Sequence, residues 1–122
     1  MPETSRSTAL DTVLEFHQAW TSGDIDAAMD RVAEDVVCRA PGEDLTGKDA
    51  YREYLAGFAP ALIGLADVAS FAEEDRVALF YYPQTAAAST ALAAECFTVR
   101  GERIVENLLV FDRMSFGPPD QQ

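Results

Sequence analysis

Two polar side chains stand among apolar neighbours in the last third of the chain, and together they could move a proton. Glu95 lies in Ala94-Glu95-Cys96-Phe97-Thr98-Val99, and Asn107 in Ile104-Val105-Glu106-Asn107-Leu108-Leu109-Val110-Phe111. Strand alternation puts Glu95 on the face of Phe97 and Val99, and Asn107 on the face of Leu109 and Phe111. The Gly101-Glu102-Arg103 turn sets the two runs side by side as a hairpin, with a register that a one-residue bulge would shift. A carboxyl beside a carboxamide in an apolar cup can donate a hydrogen bond or shuttle a proton, while the amide orients a ligand. The competing reading leaves Glu95 at a solvated rim or paired with an arginine such as Arg39.

Other chemistry-bearing residues point to fewer roles. His17 is the only histidine and stands on an otherwise apolar helical stripe, where a hydrogen-bonded core or interface role comes ahead of catalysis. Phe16, Trp20, Tyr54, Phe58, Phe97 and Phe111 suit the wall of a pocket for a flat apolar ligand, although several of them must simply fill the core. The pattern leaves open which way Tyr51, Tyr81 and Tyr82 face. Asp112 closes the last strand as a pairing or turn residue. Cys38 and Cys96 sit in separate strand-like runs without a Cys-x-x-Cys motif or a histidine cluster, so they read as small buried hydrophobes. No metal site and no cofactor are expected.

These groups need elements to hold them. Apolar positions at Leu10, Val13, Leu14, His17 and Trp20 recur at helical spacing from Thr8 to Ser22, with Phe16 on the flank. Ser22-Gly23-Asp24 ends that helix, and Asp24 is placed to cap a short second one carrying Ile25, Ala28, Met29 and Val32. Val36 to Ala40 is β-prone and stops at Pro41-Gly42. A third helix follows Thr46-Gly47-Lys48-Asp49 and runs through Tyr51, Tyr54, Leu55, Phe58 and Leu62, with Pro60 near its far end. Leu65 to Ala72 and Val77 to Tyr82 read as strands, the second interrupted by Pro83. Ala91 to Arg100 and Ile104 to Arg113 complete the set. Helices first and four mainly antiparallel strands after them give an α+β domain whose curved sheet wraps the helices on one face.

The chain has 122 residues, which is one domain with one core. The folded part is expected at about 8–113, with frayed tails at 1–7 and 117–122. A formal charge of −12 repels phosphate backbones and anionic lipid, so neither nucleic acid nor membrane is an expected partner. No apolar run approaches the roughly 20 residues needed to span a bilayer. The polar N-terminus has no basic start followed by an apolar stretch, which reads as cytoplasmic.

Phe16-His17-Gln18-Ala19-Trp20-Thr21-Ser22-Gly23-Asp24-Ile25-Asp26, Ala33-Glu34-Asp35-Val36-Val37, Leu45-Thr46-Gly47-Lys48-Asp49-Ala50 and Gly101-Glu102-Arg103-Ile104-Val105-Glu106 occur in an informative order. In that order and spacing the chain resembles the nuclear-transport-factor-2-like superfamily, in its SnoaL-like branch of polyketide cyclases and ketosteroid isomerases. The resemblance implies a cone-shaped, cystatin-like α+β fold, a curved sheet around three helices, a pocket between them for a small hydrophobic molecule, and a homodimer. Carried over residue by residue, the isomerase base position is Ala40, its tyrosine position Phe16 and its protonated acid Glu95. The cyclase histidine and aspartate positions are Asn107 and Leu109. No strand offers the Asp-Arg-Asp set of the superfamily's epoxide hydrolases.

The catalytic candidates are therefore Glu95 and Asn107. The ligand-contacting candidates are Phe16, Trp20, Cys38, Ala40, Tyr54, Phe58, Phe97, Leu109 and Phe111. The leading expectation is a small-molecule pocket, with any catalysis a cofactor-free proton transfer of isomerase or cyclase type. Its alternative is a non-catalytic binding or interaction domain whose aromatic side chains fill the core.

Overall fold

Gly101 and Glu102 both adopt positive φ, 58° and 61°, as a two-residue type I′ hairpin turn requires. That turn fixes the pairing of the last two strands. The computed structural model describes residues 8–112, with elements in the order α1 (Thr8–Thr21), α2 (Ile25–Met29), β1 (Val32–Ala40), β2 (Glu43–Thr46), α3 (Lys48–Phe58), a 3-10 turn (Ala59–Ala61), β3 (Leu62–Glu73), β4 (Arg76–Thr85), β5 (Ala93–Arg100) and β6 (Arg103–Val110). The expected frayed ends, and Arg113 at the end of the last strand-like run, lie outside the described residues.

Helix α1 buries Ala9, Val13, Phe16, His17 and Trp20, a stripe at steps of three and four that faces the sheet. The side chain of Asp24 caps α2 by accepting from the Ala27 amide at 3.1 Å. Helix α3 buries Tyr51 and Leu55, one turn apart on the same face, and Arg52 ties it to α2 through Asp26.

The six strands form one sheet in the order β2-β1-β6-β5-β4-β3. All neighbours are antiparallel except β1 and β6, which run parallel. One cross-sheet row, Val77, Phe97, Asn107 and Cys38, is almost fully buried. The next inward row is Leu79, Glu95 and Leu109. Between Thr98 and Val99 the register shifts: Thr98 pairs with Glu106, but Val99 pairs with Ile104. Val105 is the extra residue of a bulge. Ile104 and Asn107, three apart, consequently both point inward and are both 0% exposed.

The structure corrects several expected boundaries. There are six strands where five were expected, because Glu43–Thr46 adds an edge strand beside β1. Four residues, mostly exposed, carry no alternation to announce them. Strand β1 starts at Val32, earlier than the β-prone run. Leu62, assigned to the third helix, opens β3, because Pro60 sits in a 3-10 turn that ends the helical segment. Pro83 does not end β4, which continues to Thr85. The last β4–β5 pair is Tyr81 with Ala93, so Pro83 lies where only β3 flanks the strand, a position that tolerates a missing N–H.

Gly101 has open space where a Cβ would stand, so its requirement is purely one of backbone conformation. Gly101→Ala is expected to cost about 1 kcal/mol through the left-handed φ, measured as a lower urea midpoint with an unchanged m-value.

Candidate functional site

Four side chains from four elements converge under α1. Tyr51 comes from α3, Tyr81 from β4, Glu95 from β5 and Asn107 from β6, and none is more than 5% exposed. The Tyr81 hydroxyl donates to Glu95 Oε2. Asn107 Nδ2 donates to Glu95 Oε1 at 2.9 Å and to the Tyr51 hydroxyl at 2.7 Å. Each carboxylate oxygen therefore accepts one bond from a neutral donor.

Counting the remaining capacity is informative, because buried polar groups are almost always paired. Asn107 Oδ1 is buried without a partner. The Tyr51 oxygen is used as an acceptor, which leaves its own proton to be placed elsewhere. One acceptor and one donor are thus left over at the network's edge. Arg39, which could have claimed Glu95, instead pairs with Asp44 at 3.0 Å and lies 4.0 Å from Glu106.

The network closes one end of a cavity of about 40 Å³ lined by Trp20, Tyr51, Tyr54, Leu55, Phe58, Tyr81, Pro83, Ala93, Glu95, Asn107, Leu109 and Phe111. Six of its twelve lining residues are aromatic. The free space is small beside the roughly 300–1,000 Å³ of drug-sized pockets. Among the described residues no group of three or more potential metal ligands gathers, and no helix is long and apolar enough to cross a membrane.

A model of the SnoaL-like domain matches residues 13–107. The chain belongs to the SnoaL-like domain family. It is similar to a solved protein from Kribbella flavida DSM 17836, at 40% identity over 90% of this chain and 92% of that one, with a TM-score of 0.86. A SnoaL-like protein from Burkholderia thailandensis E264 is 25% identical over 86% and 95% of the two chains, TM-score 0.71. An NTF2-like protein from Cytophaga hutchinsonii ATCC 33406, 21% identical over 87% and 91% with a TM-score of 0.74, shares the fold. No protein with a curated description matches the chain.

Within this SnoaL-like domain, seven of the eleven site residues expected from sequence lie on the cavity: Trp20, Tyr54, Phe58, Glu95, Asn107, Leu109 and Phe111. Phe16, Cys38, Ala40 and Phe97 are buried in the core and are not among the lining residues. Phe16 stacks on Tyr51 with ring centroids 5.8 Å apart and meets Phe97 edge to face. Tyr51 and Tyr81, whose orientation the sequence pattern leaves open, both line the cavity and join the network. The signal was present for each: Val77, Leu79 and Tyr81 alternate on β4, and Tyr51 precedes Leu55 by one helical turn. His17 packs on Tyr81 with ring centroids 4.6 Å apart, and its Nε2 lies 3.5 Å from Asp67 on β3.

Burial raises the phenol pKa of Tyr51 and Tyr81 well above 10.0, and the Glu95 charge adds to both shifts. Burial likewise pushes the Cys38 thiol from 9.0 up to about 12, with Glu95 the next cause. All three stay protonated in the fold, while an unfolded chain would release those protons from about pH 9 to 10. Above that point the unfolded state binds fewer protons than the native one, so stability falls as pH rises. Stability is therefore expected to hold below pH 9 and to decline between 9 and 12, by on the order of 2 kcal/mol at pH 10.5 from Cys38 alone. Urea midpoints at pH 8 and 10.5 measure it, and equal midpoints would contradict the burial of these groups.

Proposed function

We propose that this SnoaL-like domain binds a compact, largely apolar molecule in the aromatic cavity, that Glu95 exchanges protons with it, and that Asn107 fixes its orientation. The observation that carries this reading is the hydrogen-bond count around Glu95. A structural network would be expected to close on itself, whereas this one leaves an Asn107 oxygen and a Tyr51 proton beside an apolar space. Glu95 sits on the wall of that space, where a carboxyl can give or take a proton without a cofactor. The raised phenol pKa values keep Tyr51 and Tyr81 as donors.

A second reading, a non-catalytic domain with a self-filled core, draws on two observations. The cavity measures only about 40 Å³, and three of the five carried-over isomerase and cyclase positions hold the apolar residues Phe16, Ala40 and Leu109. Trp20 is the only tryptophan and lines the cavity, so its fluorescence reports occupancy directly. Titration with compact cyclic ketones and phenols should perturb that emission under the first reading and leave it unchanged under the second. On any substrate so found, Glu95→Gln should keep the far-UV circular dichroism and lose at least about a hundredfold in turnover, the lower range for a general acid or base. Unchanged turnover would remove Glu95 from the mechanism.

We also propose that the domain works as a homodimer through the convex side of its sheet. There the outward row Phe71, Ala78, Cys96 and Leu108 runs beside Phe80, Ala94 and Val110. Phe71 and Val110 are 63% and 64% exposed, and contiguous apolar surface of this kind marks an association site. Light scattering at micromolar concentration should give twice the chain mass, and Val110→Lys should return the single-chain value.

A further inference from the structure

Among the described residues Glu95 is buried without a counter-charge. Its two hydrogen-bond partners, the Tyr81 hydroxyl and the Asn107 amide, are neutral, and no Lys, Arg or His among the described residues forms an ion pair with it. Buried carboxylates in proteins are ordinarily paired with a cation, because desolvation is costly when nothing offsets it. Here the space beside the carboxyl is walled by the rings of Trp20, Tyr54, Phe58 and Phe111. Ring faces carry negative quadrupole density and attract organic cations, most strongly where water is excluded.

We propose that the cavity's ligand is a small organic cation, an alkylammonium head group whose methyl groups face the aromatic rings and whose charge completes the pairing of Glu95. The proposal rests only on reading this cavity as a ligand site; toward a quaternary ammonium Glu95 serves as the counter-charge and transfers no proton. Three further features agree with it. A volume of about 40 Å³ suits a head group of a few heavy atoms and excludes a polycyclic skeleton. The unpartnered Asn107 Oδ1 adds a second acceptor and no positive charge. The formal charge of −12 draws cations toward the protein and disfavours anions.

Choline and its neutral carbon isostere 3,3-dimethylbutan-1-ol have nearly the same shape and differ in charge. Calorimetric titration of the full chain should show choline bound at least tenfold more tightly than the alcohol. In Glu95→Gln, checked for fold by circular dichroism, that preference should fall below threefold, chiefly through loss of choline affinity. Phe58→Leu, at the half-buried end of α3, keeps an apolar wall but removes a ring face, and should weaken choline severalfold and the alcohol little. Should Glu95→Gln fail to fold, Phe58→Leu decides by the same criterion. Equal affinity of the wild-type protein for the two probes would overturn the cation preference and leave the ligand site standing. Binding of neither would overturn the ligand site and the preference together.

Discussion

The interior of this domain is constrained by one carboxyl group, Glu95, taken out of water without a permanent positive partner among the described residues. An isolated buried carboxylate is among the costliest groups a fold can hold. Glu95 is kept there by hydrogen bonds from Tyr81 and, through Asn107, by a link to Tyr51. Removing a single donor would leave another polar group unsatisfied as well, since Asn107 serves two acceptors at once. Strand β4, strand β6 and helix α3 must therefore all be in place before Glu95 is tolerable.

That requirement explains the value of an irregular hairpin. In a regular ladder, alternate residues of β6 share a face, so Ile104 and Asn107 would point to opposite sides. The bulge at Val105 lets the strand present a core residue at Ile104 and then switch phase to bring Asn107 inward. Another of the sheet's register shifts, between Asp67 and Ala69 on β3, lies near the point where Asp67 reaches His17. Both irregularities add local twist, and twist is what curls a six-stranded sheet around three helices. Turn chemistry and site chemistry are thus coupled: the type I′ turn sets the hairpin register, and the bulge sets which polar side chain meets the carboxyl.

The helices and the hairpin were legible in sequence because each depends on local periodicity, whereas alternation grouped Glu95 with Phe97 and Val99 but left a solvated rim open for it. Stripes on α1 and α3 follow from the 3.6-residue repeat, and the Gly101-Glu102 turn from the few residues that accept positive φ. Strand β2 was not legible: its four mostly exposed residues show no alternation, and it exists because β1 offers it a partner. The continuation of β4 through Pro83 depends on β5 ending at Ala93, a fact about a neighbouring strand. Which aromatic residues line the cavity and which fill the core was also beyond local pattern. Phe16 and Trp20 lie on one helix, yet Phe16 is covered by Tyr51 and Phe97 while Trp20 opens on the cavity. Only the packing of distant elements separates them.

The family resemblance drew attention to Phe16, Ala40 and Leu109, positions that hold polar groups in relatives with known chemistry and carry none here. Loss of those groups would by itself favour a plain hydrophobic core. What argues otherwise is that Tyr51 on α3 and Tyr81 on β4 bring hydroxyls to Glu95 and Asn107 in the core. Phe16 keeps a part in that arrangement, because its ring stacks on Tyr51 and holds the phenol against Asn107. A core under selection for stability alone would do better with hydrophobic residues of similar volume at Tyr51, Tyr81, Glu95 and Asn107, since replacing a buried polar cluster in that way is often neutral or stabilising. Four polar side chains gathered together, with one acceptor and one proton to spare, support the proposed reading as a ligand site.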